Sequence, residues 1–228
     1  MMAEAQADDD EICVYTGGDQ EVPDDVRRVR IDKSVKIIPQ RAFELRRHLI
    51  YVEFHDGIEI IEMRAFVNCV RLRGSIKLLG VRVIEEGAFS CCCGLTEVEF
   101  DDKLETIGSC AFYNCTSLRS LTMPSGRSIG TWAFRSCKQL TDLDLPGGLE
   151  TIQEYAFNNC SSLRRIAMPL SCMIEDNVFI DCTNLKTVDL VGGIHRTVAS
   201  LHLERWRNDT TEEINRINQV LPETEEKT

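Results

Sequence analysis

The dipeptide Ala-Phe recurs at Ala42/Phe43, Ala65/Phe66, Ala88/Phe89, Ala111/Phe112, Ala133/Phe134 and Ala156/Phe157, and Val178/Phe179 continues the series, with successive spacings of 23, 23, 23, 22, 23 and 22 residues. Nothing else in the chain restricts its fold so tightly. An isoleucine stands four residues before each Ala or Val, as Ile38, Ile61, Ile84, Ile107, Ile129, Ile152 and Ile174. A leucine stands six residues after each Phe, as Leu49, Leu72, Leu95, Leu118, Leu140, Leu163 and Leu185. Neither column has an exception. A unit this short cannot bury its own apolar edge, so each must be covered by its neighbour, and the chain is predicted to wind into a stack of coils.

Beyond these leucines, apolar residues alternate by two: Val52 and Phe54, Val98 and Phe100, Leu121 and Met123, Leu143 and Leu145, Ile166 and Met168, Val188 and Leu190. Such alternation marks a strand with one buried face. The second repeat departs, with Ser75 and Lys77 at the apolar positions, although Ile76 and Leu78 restore the pattern if one residue bulges out. Val26, Val29 and Ile31 carry the strand spacing with no Ala-Phe before them, as a half repeat opening the stack would. Eight coils at a strand spacing of about 4.7–4.9 Å make a rod of roughly 35–40 Å.

The composite pattern Leu-x-x-Val-x-Leu-Pro, Ile-Gly-x-x-Ala-Phe and Asn-Cys-x-x-Leu, clear at Leu118 to Pro124, Ile107 to Phe112 and Asn159 to Leu163, resembles the Treponema-type, or BspA-like, leucine-rich repeats. The resemblance covers roughly residues 26–192. It implies an α/β leucine-rich-repeat solenoid, a right-handed superhelix with a parallel β-sheet on one face and short strands or helical turns on the other. Members of the class include bacterial surface adhesins, so the resemblance implies recognition, and it carries over no catalytic residue. The expected organisation is an acidic, largely disordered segment at 1–22, the solenoid at 23–193, and a helical cap or arm at 194–228.

With 26 Lys and Arg against 37 Asp and Glu, the formal charge is −11. A chain this acidic is repelled by phosphates, so nucleic acid and membrane surfaces are not expected partners. The opening MMAEAQADDDEIC lacks the basic start and apolar stretch of a secretory leader, which points to a cytoplasmic protein. The eleven cysteines are informative through their positions, because Cys69, Cys92, Cys115, Cys137, Cys160 and Cys182 each fall three residues after a repeat Phe. A small residue repeated at one point of a stacked coil reads as a buried filler, and a thiol column fits a reducing compartment. Asn68, Asn114 and Asn159 are expected to hold the adjoining turns through side-chain bonds to the backbone. The run Cys91-Cys92-Cys93 leaves Cys91 and Cys93 as a thiol or metal site of lower rank, with no ligand pattern nearby to complete a zinc shell. Asn114-Cys-Thr116, Asn159-Cys-Ser161 and Asn208-Asp-Thr210 match the glycosylation acceptor pattern as by-products of the repeat.

Residues between the apolar strand positions point outward, and this face is the expected partner-binding surface. Its candidates are Arg28, Arg30, Tyr51, Glu53, Glu97, Glu99, Arg119, Asp142, Asp144, Arg164, Arg165 and Lys186. Their signs alternate by coil, which serves either pairing between coils or the docking of a charged protein or peptide. After Gly193 the period is lost. Ser200 to Leu221 reads as a helix with Leu203, Trp206, Ile214, Ile217 and Leu221 on one face, suited to capping the last coil or to self-association. No P-loop, nucleophile elbow or zincin helix occurs, and His48, His55, His195 and His202 form no ligand pattern. The sequence therefore reads as a non-catalytic protein-interaction scaffold with no cofactor or metal; the alternative is a cell-surface or secreted adhesin.

Overall fold

The computed structural model describes residues 12–18 and 20–192, together with the backbone of 197–202. On one side of the stack lie β1 (Ile12–Tyr15), β2 (Arg28–Ile31), β4 (Tyr51–Glu53), β6 (Arg73–Leu78), β8 (Gly94–Phe100), β10 (Ser120–Thr122), β12 (Asp142–Asp144), β14 (Arg165–Pro169), β16 (Thr187–Gly192) and β17 (Thr197–His202). The isoleucine column forms a second side of two-residue strands: β3 (Ile37–Ile38), β5 (Ile60–Ile61), β7 (Val83–Ile84), β9 (Thr106–Ile107), β11 (Ser128–Ile129), β13 (Thr151–Ile152) and β15 (Met173–Ile174). These seven pair in parallel as one continuous sheet, in the order of the repeats. The first side is hydrogen-bonded as β1-β2-β4, β6-β8-β10 and β12-β14-β16-β17, all parallel except the last pair.

The core is the set of columns read from the sequence. Consecutive rings from Phe43 to Phe179 stack nearly parallel, with centroids 4.7 Å apart at the first pair and 5.9 Å at the last. Each column cysteine described above is fully buried, and its Sγ–H donates to the carbonyl of the Phe one coil back, as Cys115 does to Phe89 at 3.3 Å. The thiol thus fills space too small for a larger side chain and occupies a carbonyl lone pair. Burial pushes the Cys69 thiol up to about 12, and burial likewise raises Cys92, Cys115, Cys137 and Cys160.

On the third side each coil passes through a turn containing Ala-Phe, and among the described residues no helix forms. The α/β assignment is therefore corrected to an all-strand solenoid with turns. The reason lies in two left-handed positions per coil. The residue before each Ala or Val has positive φ, as Arg41, Arg64, Gly87, Cys110, Trp132, Tyr155 and Asn177. So does the second residue after each Phe, as Leu45, Asn68, Cys91, Asn114, Ser136, Asn159 and Asp181. This geometry turns alternate N–H groups toward the next coil: Cys110, Phe112 and Asn114 donate to the carbonyls of Thr131, Ala133 and Arg135 at 2.9, 2.8 and 2.8 Å. An α-helix directs its N–H groups along its own axis and would leave the neighbour none. Asn and Gly tolerate the left-handed region best. The repeated asparagines therefore serve the turn through backbone conformation rather than through the expected side-chain bonds to the main chain; Asn159 Nδ2, for example, reaches Ser136 Oγ at 3.1 Å.

Both ends of the stack differ from expectation. Ile12–Tyr15, inside the segment expected to be largely disordered, is a strand parallel to β2. Its Tyr15 is buried and set edge-on to Phe43 at 4.9 Å, closing the ring stack. At the other end β17 runs antiparallel to β16, pairing Thr197–His202 with Thr187–Gly192. Ser200, Leu201 and His202 are thus strand where a helix was expected. A free edge at β16 offers unpaired backbone groups, and an added strand satisfies them at once. The remainder of the expected helix, from Leu203 onward, lies outside the described residues. In the irregular second repeat the register shifts between Gly74 and Ser75, with Gly74 at φ 83, and this returns Ile76 and Leu78 to the core.

Candidate functional site

Parallel register within each hydrogen-bonded group, carried across the breaks between β4 and β6 and between β10 and β12 by the repeat spacing, places the outward side chains of the long strands in two ladders. One runs Arg28, Tyr51, Ser75, Glu97, Ser120, Asp142, Arg165 and Thr187; the other runs Arg30, Glu53, Lys77, Glu99, Thr122, Asp144, Ala167 and Asp189. Much of this charge is used between coils. Arg30 meets Glu53 at 2.8 Å, Lys77 meets Glu99 at 2.8 Å, and Arg165 bridges Asp144 at 2.7 Å and Asp189 at 2.6 Å. The Arg28 guanidinium lies 5.2 Å from the Tyr51 ring centroid. The hydrogen bond from Arg165 to Asp144, followed by that to Asp189, holds the Arg165 guanidinium above its ordinary range.

Three expected face residues stand elsewhere. Arg119, Arg164 and Lys186 immediately precede β10, β14 and β16, at the rim, and the Arg119 Nε–H donates to Gln139 Oε1 at 2.8 Å. Glu97 and Asp142 remain on the face, exposed, with no cation within ion-pair distance among the described residues. They flank Ser120, beside Glu99 and Asp144, and make an acidic centre between the Lys77 coil and the Arg165 coil. The edge before the isoleucine strands is also paired between coils, through Lys36–Glu59, Arg82–Glu105 and Arg127–Glu150 at 3.6, 2.8 and 3.7 Å.

The turn side carries a feature absent from the sequence reading. Trp132 and Tyr155 occupy the left-handed column at φ 57 and 56, with ring centroids 6.3 Å apart. A bulky non-glycine residue there costs about 1–2 kcal/mol. Trp132 is 39% exposed, so the ring keeps a sizeable apolar surface open to solvent. The Arg135 guanidinium lies 5.6 Å from the Trp132 ring and 5.9 Å from the Tyr113 ring. These groups border a cleft of about 430 Å³ that dips over Gly87 and Ser90, the smallest residues of their columns, and has Arg64 and Val67 beyond them. The sequence signal was available: Trp and Tyr stand at positions that elsewhere in the same column hold Gly87 and Asn177.

Cys91 and Cys93 are half-buried, and Asn114 Nδ2 lies 3.8 and 4.0 Å from their sulfurs. Burial, followed by the neighbouring Cys91, raises the Cys93 thiol. Among the described residues, no group of three or more His, Cys, Asp or Glu side chains is arranged to hold a metal ion. All eleven cysteines are free. His55 is a turn residue, with Nε2 2.9 Å from the Asp32 carbonyl and Nδ1 accepting from the Gly57 N–H at 3.1 Å. No helix among the described residues is long and apolar enough to cross a membrane.

A stack of parallel strands held by an internal Phe ladder and presenting rigid outer columns is the architecture of a repeat protein of the leucine-rich class. The family model for the BspA type leucine rich repeat region matches six copies over residues 24–126 and 82–200, and the chain belongs to that family. A leucine-rich cell surface protein from Faecalibacterium prausnitzii is similar in structure, with 23% identity and a TM-score of 0.53, over 75% of this chain and 61% of that one. A leucine-rich-repeat protein from Bacteroides ovatus is similar at 25% identity and a TM-score of 0.58, over 73% of this chain and 50% of that one. The chain thus spans between half and about three fifths of these relatives. No curated protein sequence matches it significantly.

Proposed function

We propose that this protein is a non-catalytic scaffold that binds a protein partner across the outward face of its long-strand sheet. The observation that carries the reading is the acidic centre formed by Glu97 and Asp142, which have no cation within ion-pair distance among the described residues, on a face where neighbouring charges are paired. A rigid sheet with preformed charge gives specificity and steering with little ordering cost. A basic segment of the partner is the complement, and Arg28, Arg30, Tyr51, Glu53, Arg165 and Lys186 frame its path. Reversing the centre with E97K/D142K should abolish affinity capture of partners that wild type retains, while the far-ultraviolet circular dichroism stays unchanged. Retention of the same partners by the folded variant would remove this face from consideration.

A free, buried thiol column supports residence in a reducing compartment, because oxidising surroundings favour bridged cysteines. The alternative of a surface recognition protein draws on the solved relative named as a cell surface protein. Fractionation of source cells with protease shaving separates the two.

A further inference from the structure

We infer that the turn-side cleft is a second recognition site, for a short peptide segment that carries an acidic side chain next to an aromatic or aliphatic one. The charge argument rests on Arg135. Arg135 is half-buried, its guanidinium lies over the Trp132 and Tyr113 rings, and no carboxylate lies within ion-pair distance of it among the described residues. The cleft is also lined by Glu44 and Glu86, and Arg64 on its opposite side is paired with Glu86 at 3.9 Å, so Arg135 is the lining cation without a carboxylate partner among the described residues. A planar guanidinium fixed against aromatic faces is preorganised to take a carboxylate through two parallel N–H donors. The shape argument rests on Gly87 and Ser90, whose small side chains leave room for a chain to lie between Val67 and Tyr113. Trp132 supplies an exposed apolar wall beside that path. Trp, Tyr and Arg are the residue types that dominate binding energy at interfaces, and here all three meet at one cleft.

This site is separate from the sheet face, since its residues sit in the Ala-Phe turns and the sheet residues sit on the long strands. The probe is a phage-displayed random dodecapeptide library selected on the full chain. Enriched peptides should carry Asp or Glu beside an aromatic or aliphatic residue. A synthetic copy should bind at least tenfold more weakly after its acidic residue is changed to the amide, and likewise to Arg135→Gln. Trp132→Asn should also lose binding while its far-ultraviolet circular dichroism stays that of the wild type, because Asn accepts the left-handed backbone; lost binding then cannot be ascribed to unfolding. The E97K/D142K protein should bind the peptide as wild type does. Failure to enrich any sequence, enrichment of peptides without an acid, or binding indifferent to Arg135→Gln would overturn the proposal. Loss of binding in E97K/D142K alone would assign the peptide to the sheet face instead, and also overturns it.

Discussion

Raising the pH from 8 to 10 should remove a large part of this protein's stability through its buried thiols. Six buried thiols, Cys69, Cys92, Cys115, Cys137, Cys160 and Cys172, are held above the free-thiol value of 9.0 by burial, with Cys69 and Cys172 pushed up to about 12. Their contribution to stability is fully present below pH 9, where folded and unfolded chains both keep the proton. As pH rises through 9 the unfolded chain releases protons that the folded core retains, and the loss continues until the folded thiols titrate. One unit above the unfolded pKa this amounts to about 1.4 kcal/mol per thiol, or roughly 8 kcal/mol for the set. Domains of ordinary stability have about 5–15 kcal/mol in total. Urea titrations under a phosphine reductant at pH 8, 9 and 10, followed by circular dichroism, read the change directly. A Cys115→Ala/Cys137→Ala variant, two thiols short, should lose about 3 kcal/mol less between pH 8 and 10 than wild type does. Tyr15 is also raised by burial from 10.0, but its share develops only above pH 10. A midpoint that holds constant from pH 8 to 10, or a double variant that falls as far as wild type, would refute the reasoning.

Phe112 has stacked partners at 5.3 and 5.4 Å and an edge contact with Phe100 at 6.4 Å. Phe112→Ala should therefore cost about 3–5 kcal/mol, measured by the same urea titration. Replacing Arg165, which spans two carboxylates including a nearly buried Asp189, with Met should cost about 1–2 kcal/mol, while Lys77→Met on the more exposed pair should cost under about 0.5 kcal/mol. Native-state alkylation with iodoacetamide, read by peptide mass spectrometry, should label Cys91, Cys93 and Cys110 well before any thiol of the buried column.

What the sequence revealed followed from repetition. The Ile, Phe, Cys and Leu columns each sample one environment seven times over, or nearly so, and a buried environment admits few residue types, so the core could be read residue by residue. The sheet face was read one position out in places, at Arg119, Arg164 and Lys186, because outward positions tolerate many residues and show no column of their own. The turn side was misread as partly helical because a left-handed backbone leaves only a statistical trace, and Arg41, Leu45, Arg64, Cys91 and Cys110 conceal what Asn68, Gly87 and Asn114 hint at. The terminal strands were hidden for another reason. Ile12–Tyr15 and Thr197–His202 lie outside the period, and what makes them strands is the open edge they pair with.

A repeat array also supplies its own control for separating structure from function. When adjoining coils place opposite charges in register, as at Arg30–Glu53 and Lys77–Glu99, the residues satisfy one another and require no partner to account for them. Glu97 and Asp142 fall outside that logic, and Trp132 and Tyr155 are the two aromatic side chains in a left-handed column that otherwise holds Arg41, Arg64, Gly87, Cys110 and Asn177. Trp132 stays 39% exposed and stands beside Arg135, which has no carboxylate within ion-pair distance among the described residues. Departures that weaken a coil persist only where something other than the coil benefits. On that ground the turn side has a stronger claim to a specific ligand than most of the charged sheet, although the sheet is where the sequence first directs attention. Separate losses in E97K/D142K and Arg135→Gln would show two surfaces working independently on one rod. A shared loss would mean that a single partner wraps from one side to the other.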